Sequence, residues 1–397
     1  MKTPRLKASL LRKIFVAASI HRWNDQACPV EFVELDKQAH KMVITYLLAK
    51  YEGIDGKERD WERLILYFCF DFFARVVLTD IKPPVFHELQ RYHKKDLAQF
   101  VIKELREDLQ EYEFFEDFEH YLSHTHQSIE TQILRAAHYY ASKWEFDIIY
   151  RFNPYMFDVE NIKASIDKEV EQLYNLNGMK QIVLFKNISE IVTMFGQLRF
   201  QKRWSQTPRV PATSVLGHTL VVAICGYLLS LDLGACKQMR INHFLGGLFH
   251  DLPEILTRDI ISPIKSSVAG LDEQIKLIEE RAVEEKILIH MPESIRADIV
   301  YFTRNEFANR YLIECFPHYT KNWQELFLNF NQDEYNPVCG QFLKVCDHLS
   351  AFLEAKISIS HGISSKDLIE GADGIYEKRH NESIHDLDLG ALFRDFC

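Results

Sequence analysis

Glycine and proline are scarce in this chain, 15 and 12 among 397 residues. So low a share excludes low-complexity linkers and collagen-like repeats. Cysteine is present eight times, yet no CxxC pair occurs. That removes the usual zinc-ribbon and dithiol redox motifs and fits reduced thiols in a cytoplasmic protein. A basic surplus is also missing: 47 Lys and Arg stand against 57 Asp and Glu, a net charge of −10. Grip on long nucleic acid depends on neutralising phosphates, so that partner is not expected. The N-terminus carries Lys2, Arg5, Lys7, Arg12 and Lys13, whose charges interrupt any signal-like apolar core. The longest apolar runs, after His218 and at 64–70, are too short to span a bilayer, and no membrane partner is expected.

What the chain does have is helical patterning. Hydrophobic residues make up 47% of it, and apolar side chains recur at helix spacing at Phe100, Val101 and Leu105 and again at Ile275, Ile278, Ala282 and Val283. Alternation of the β type between tight turns is rare. The expected fold class is all-α, with enough length for two domains of ordinary size.

Chemistry concentrates in three apolar segments. Phe249-His250-Asp251-Leu252-Pro253-Glu254 sets two good metal ligands side by side, with a glutamate four residues after the histidine. On a helix, His250 and Asp251 would point about 100° apart and Glu254 would return to the face of His250. His218 opens a buried-helix run, Leu220–Leu229, and Asp347 sits inside another, Phe342–Leu353. A lone buried carboxylate costs roughly several kcal/mol unless a cation answers it. Taken singly, each residue has a plainer account: His218 bonded to backbone, Asp347 paired with Lys344, Glu254 solvated, Asp259 capping a turn, Arg203 stacked on an aromatic ring. Taken together, His218, His250, Asp251 and Asp347 supply two nitrogens and two oxygens for one divalent ion and leave coordination positions open. Manganese, cobalt, iron, nickel and zinc all suit such a set.

The order His, His-Asp, Asp resembles the HD-domain metal phosphohydrolases. Further motifs agree: Arg203-Trp204 before the first ligand, and Leu256-Thr257-Arg258-Asp259-Ile260-Ile261-Ser262-Pro263 after the doublet. The whole set, over about residues 190–360, is similar to bacterial HD-domain 5′-deoxynucleotidases. The resemblance implies a small nucleotide as substrate. It implies that Glu254 orients or deprotonates the attacking water, and that Asp259 contacts the sugar 3′-hydroxyl or assists the leaving group. Arg203 would pair with phosphate, Trp204 would pack on the sugar, and Lys265 is a looser phosphate contact. Related chemistries are dNTP triphosphohydrolysis and phosphodiester cleavage. A catalytically weak nucleotide-binding regulator is the alternative outside enzymology.

The N-terminal half reads as a degenerate second copy, giving two tandem HD-like helical bundles. Arg22-Trp23 matches Arg203-Trp204, His40 takes the place of His218, Phe70-Asp71 that of His250-Asp251, and His138 that of Asp347. Loss of the doublet histidine and of the glutamate predicts a silent site, with a weak His40, Asp71, His138 cluster as the alternative. The expected boundaries are residues 1–160 for the degenerate copy, 161–185 for a linker helix and 186–397 for the intact domain. The two copies would form a pseudo-dimer within one chain, with further homo-oligomerisation open.

Overall fold

The computed structural model describes residues 1–53, 59–79, 81–258, 260, 268 and 270–396. The fold is all-α: long helices carry the core, and the strands among the described residues form only three two-stranded antiparallel pairs. The chain divides into two compact units, Arg5–Gln181 and Ile182–Cys397, the latter including Met1–Pro4.

In the N-terminal unit the helix Glu34–Gly53 packs along Ile129–Phe152, with Trp61–Leu78 against the same partner. Ser128 caps the second of these by accepting the Thr131 N–H, and Asp60 caps the third through Arg63 N–H. The helix Val159–Glu171, which falls in the segment read as a linker, packs on Ile129–Phe152 inside this unit.

In the C-terminal unit the helices Val215–Asp232, Lys237–Phe249 and Gly340–Ser360 pack against one another. Ser214 starts the first: its Oγ accepts the Gly217 N–H at 2.9 Å, so His218 falls in the opening turn. This helix is 18 residues long and apolar enough to cross a membrane by those measures alone, but 94% of it is buried among its neighbours. The helix thus extends beyond the apolar run Leu220–Leu229 at both ends, and it is core. Two glycines bring the first pair of helices close. A Cβ on Gly247 would lie 2.7 Å from the Ala223 backbone, and one on Gly226 would lie 2.9 Å from the His243 carbonyl. His243 ties in the third helix: Nε2 accepts the Cys339 N–H at 2.9 Å, while Nδ1 meets Ser230 Oγ at 2.6 Å.

The segment between the doublet and Asp347 adds the helices Leu271–Lys286 and Glu293–Thr303, then the hairpin Asn309–Ile313 with Phe316–Thr320. The seven cysteines among the described residues are free. Cys346, beside Asp347, is a packed thiol that burial pushes well above its ordinary pKa.

Candidate metal centre

Three helix ends and faces converge in the C-terminal unit. His218 comes from the first turn of Val215–Asp232, His250 from the end of Lys237–Phe249 and Asp347 from Gly340–Ser360. All three are buried, and one potential ligand atom of each lies within 4.8 Å of the others. His218 Nε2 is 3.0 Å from Asp347 Oδ1. Asp251 joins them, with Oδ1 3.2 Å from His250 Nε2 and Oδ2 4.0 Å from His218 Nε2.

The doublet does not lie within a continuous helix as its sequence suggested. The helix ends at Phe249, His250 and Asp251 occupy a turn, and Glu254 begins a separate short helix, Glu254–Thr257. Pro253 supplies the reason, because its ring and missing N–H stop an α-helix from running through. The turn still delivers both ligands to one point.

The tautomer of His250 follows from its partner. Nδ1 lies 2.8 Å from the Gly247 carbonyl, which can only accept, so the ring proton sits there. In the neutral ring Nε2 then turns its lone pair toward the Asp251 and Asp347 carboxylates, 3.2 and 4.0 Å away. A buried nitrogen lone pair facing two carboxylates is what a divalent cation requires of a protein ligand. The donor set therefore fits a metal ion.

His218 is held from behind by groups the sequence reading missed. Its Nδ1 lies 3.0 Å from Ser350 Oγ and 3.3 Å from Glu354 Oε1. Glu354 is fully buried and also accepts from Trp204 Nε1 at 2.9 Å and Thr213 Oγ1 at 2.8 Å. The signal was available: Glu354 follows Asp347 by two helical turns, a charged residue inside an apolar run.

The carboxylates are answered by Arg203 at Asp251, Lys344 at Asp347 and Arg209 near Glu354. Burial and Arg203 push His218 down, but hydrogen bonds to Asp347 and Glu354 prevail and raise it to about 9. Burial pushes the Asp347 carboxyl up, yet Lys344 and the histidines hold it well below its ordinary value. Lys344 lies 2.9 Å from Asp347 Oδ2, so the plainer ion pair exists alongside the histidine contacts.

Arg203 borders the cluster, 3.7 Å from Asp251 Oδ2 and 3.7 Å from Glu354 Oε2. Trp204, at φ 55°, has its indole N–H committed to Glu354. Its ring edge abuts Gly371, where a Cβ would come within 2.7 Å. A cleft of about 70 Å³ opens beside the cluster, lined by His250, Asp251, Glu254, Asp272, Glu279 and Glu306 among others. Glu254 is buried and faces this cleft. Asp259 and Lys265 lie outside the described residues.

Residues 195–376 match a family model described as HD domain. Curated relatives over this region are named 5′-deoxynucleotidases. That of Vibrio atlanticus is 28% identical over 31% of this chain and 64% of its own length. That of Photobacterium profundum is 31% identical over 28% of this chain and 58% of its own. That of Cronobacter sakazakii is 25% identical over 45% of this chain and 84% of its own. The chain thus spans about three-fifths of the length of the first two. No solved structure matches.

Proposed function

From the HD domain at residues 195–376, we propose that the chain is a metal-dependent phosphohydrolase that releases phosphate from a nucleoside 5′-monophosphate, preferentially a deoxynucleotide. The observation that carries this reading is the convergence of His218, His250, Asp251 and Asp347 beside a cleft that also receives Glu254. When bound, a divalent metal held by those four residues supplies Lewis acidity and charge neutralisation at the phosphate.

The protein's own groups do the rest. Glu254 orients a water for in-line attack and takes its proton as the oxygen–phosphorus bond forms. Arg203, with a planar fork suited to two oxygens, offsets charge on the equatorial oxygens. Trp204 is anchored by Glu354 and Gly371, leaving the other part of its ring to pack on the sugar. By the resemblance, Asp259 serves the 3′-hydroxyl or the leaving oxygen as the phosphorus–oxygen ester bond breaks, and Lys265 assists at the phosphate. A monophosphate is favoured by the acidic cleft rim, where Asp272, Glu279, Glu280 and Glu306 stand with Lys276. A triphosphate would bring several more negative charges to that rim. A cytoplasmic location accords with the free thiols and the substrate.

The test is Glu254→Ala. The variant is expected to keep its metal while turnover falls by about 10²–10⁴, the range for losing a general base. Full activity in that variant removes Glu254 from the mechanism. Product analysis fixes the bond cleaved: inorganic phosphate supports the proposal, while triphosphate or a linearised nucleotide contradicts it.

A further inference from the structure

The N-terminal unit contains a second constellation that can be aligned with the metal centre by backbone register. In that unit His21 pairs with Val33, and the helix Glu34–Gly53 begins at the next residue. In the C-terminal unit Lys202 pairs with Ser214, and the helix Val215–Asp232 likewise begins at the next residue. Each first strand residue is followed by Arg-Trp, and both tryptophans adopt positive φ, 57° at Trp23 and 55° at Trp204.

Counting from the bridge, the fourth residue is His218 in one unit and Lys37 in the other. Lys37, not His40, therefore takes the place of the first ligand; His40 instead meets Trp144 edge-on. The partners agree. Lys37 Nζ lies 2.6 Å from His138 Nδ1, as His218 Nε2 lies 3.0 Å from Asp347 Oδ1. Seven residues after His138, Glu145 accepts from Trp23 Nε1 at 2.9 Å and Arg22 Nε at 2.8 Å. Seven residues after Asp347, Glu354 accepts from Trp204 in the same way. In place of His250 stands Phe70, packed on Phe114, Phe118 and Tyr121. Asp71 is bound by Lys41 Nζ at 2.9 Å and by the Tyr121 hydroxyl at 3.0 Å.

We propose that this unit holds a counterpart of the metal centre in which lysine replaces the ion: Lys37 against His138 and Lys41 against Asp71 make the contacts a divalent cation would make, so this half takes no metal.

Charge supports the substitution. Arg22 and Arg75 pair with Glu34, Arg22 also with Glu145, and Lys41 with Asp71. These cations match these carboxylates without any added ion, and Lys37, which burial holds well below its ordinary pKa, fills its place through the contact with His138 and not through charge. Among the described residues, the only group of side chains spaced to hold a metal is the one in the other unit. Arg22 borders an open cleft of about 390 Å³, but its guanidinium is clamped between two glutamates and so is already satisfied without phosphate.

The experiment is metal content and hydrogen exchange on the full chain, with Co²⁺ or Mn²⁺ present and after chelation. Wild type is expected to bind one equivalent and His250→Ala none. Metal should slow exchange in 215–249 and 340–360 but not in 34–53 or 129–152. Lys37→Gln should leave the equivalent in place and speed exchange in 34–53 and 129–152. A second equivalent that survives His250→Ala and is lost in Asp71→Ala overturns the inference. So does metal-dependent protection of 34–53, or Lys37→Gln with unchanged exchange there. A chain that binds no metal at all sinks the proposed function instead, and the Lys37→Gln exchange then still decides this one.

Discussion

Glu354 sits behind His218 at the candidate metal centre. It receives Trp204, Thr213 and His218 at once while fully excluded from water. With its carboxylate behind Nδ1, His218 is held with Nε2 toward the ligands, the usual arrangement for an outer group on a metal-bound histidine. Glu354→Gln preserves shape but withdraws the charge. Metal affinity should fall about 10–100-fold, measured by competition with a chromophoric chelator, and the Trp204 emission should shift as its hydrogen-bond partner changes. Unchanged affinity would make Glu354 a packing residue only. Arg203→Lys removes the fork but keeps a charge, so KM for the monophosphate should rise while metal content stays constant.

At the scale of elements, the geometry depends on how closely two helices approach. Gly247 lies against the Ala223 backbone, and three residues later the chain delivers His250. Gly247→Ala should push the helices apart, lowering stability and metal affinity together; a thermal melt of the chelated and loaded protein separates the two effects. The His243 link has a pH signature. Burial, with Arg310 adding to it, lowers this imidazole to about 3, whereas an unfolded histidine titrates near 6.5. The neutral form is the folded one, so its stabilisation is complete above about 6.5 and is lost as pH falls toward about 3. NMR of the His243 ring should show no titration between pH 8 and 5. A midpoint near 6.5 would contradict the buried role.

These elements also mark what the sequence could and could not disclose. The all-α fold and the meeting of His218, His250, Asp251 and Asp347 were legible because apolar periodicity and ligand type are local properties of the chain. The break at Phe249 was legible too, since Pro253 demands it, but the ligand spacing drew attention to a continuous helix. Glu354 carries a local signal, a charge inside an apolar run, but what it does depends on three partners distant in sequence. On the proposed register Lys37 stands where residue type alone points to His40, and that count comes from the pairing of His21 with Val33.

Across the whole molecule, a cluster spaced to hold an ion in one unit contrasts with a constellation threaded by lysines in the other. On the proposed function, all turnover belongs to the C-terminal unit. Stripping the metal should destabilise residues 182–397 and leave 5–181 with their melting behaviour intact, read by hydrogen exchange in each unit. The measurement that bears most directly on the central claim is phosphate release from ribo- and deoxynucleoside mono- and triphosphates with Mn²⁺, Co²⁺ or Mg²⁺, for wild type and Asp251→Ala. Metal-dependent release from deoxynucleoside monophosphates, absent in the variant, is the predicted result. No release from any substrate with metal bound, or equal release by Asp251→Ala, would contradict it.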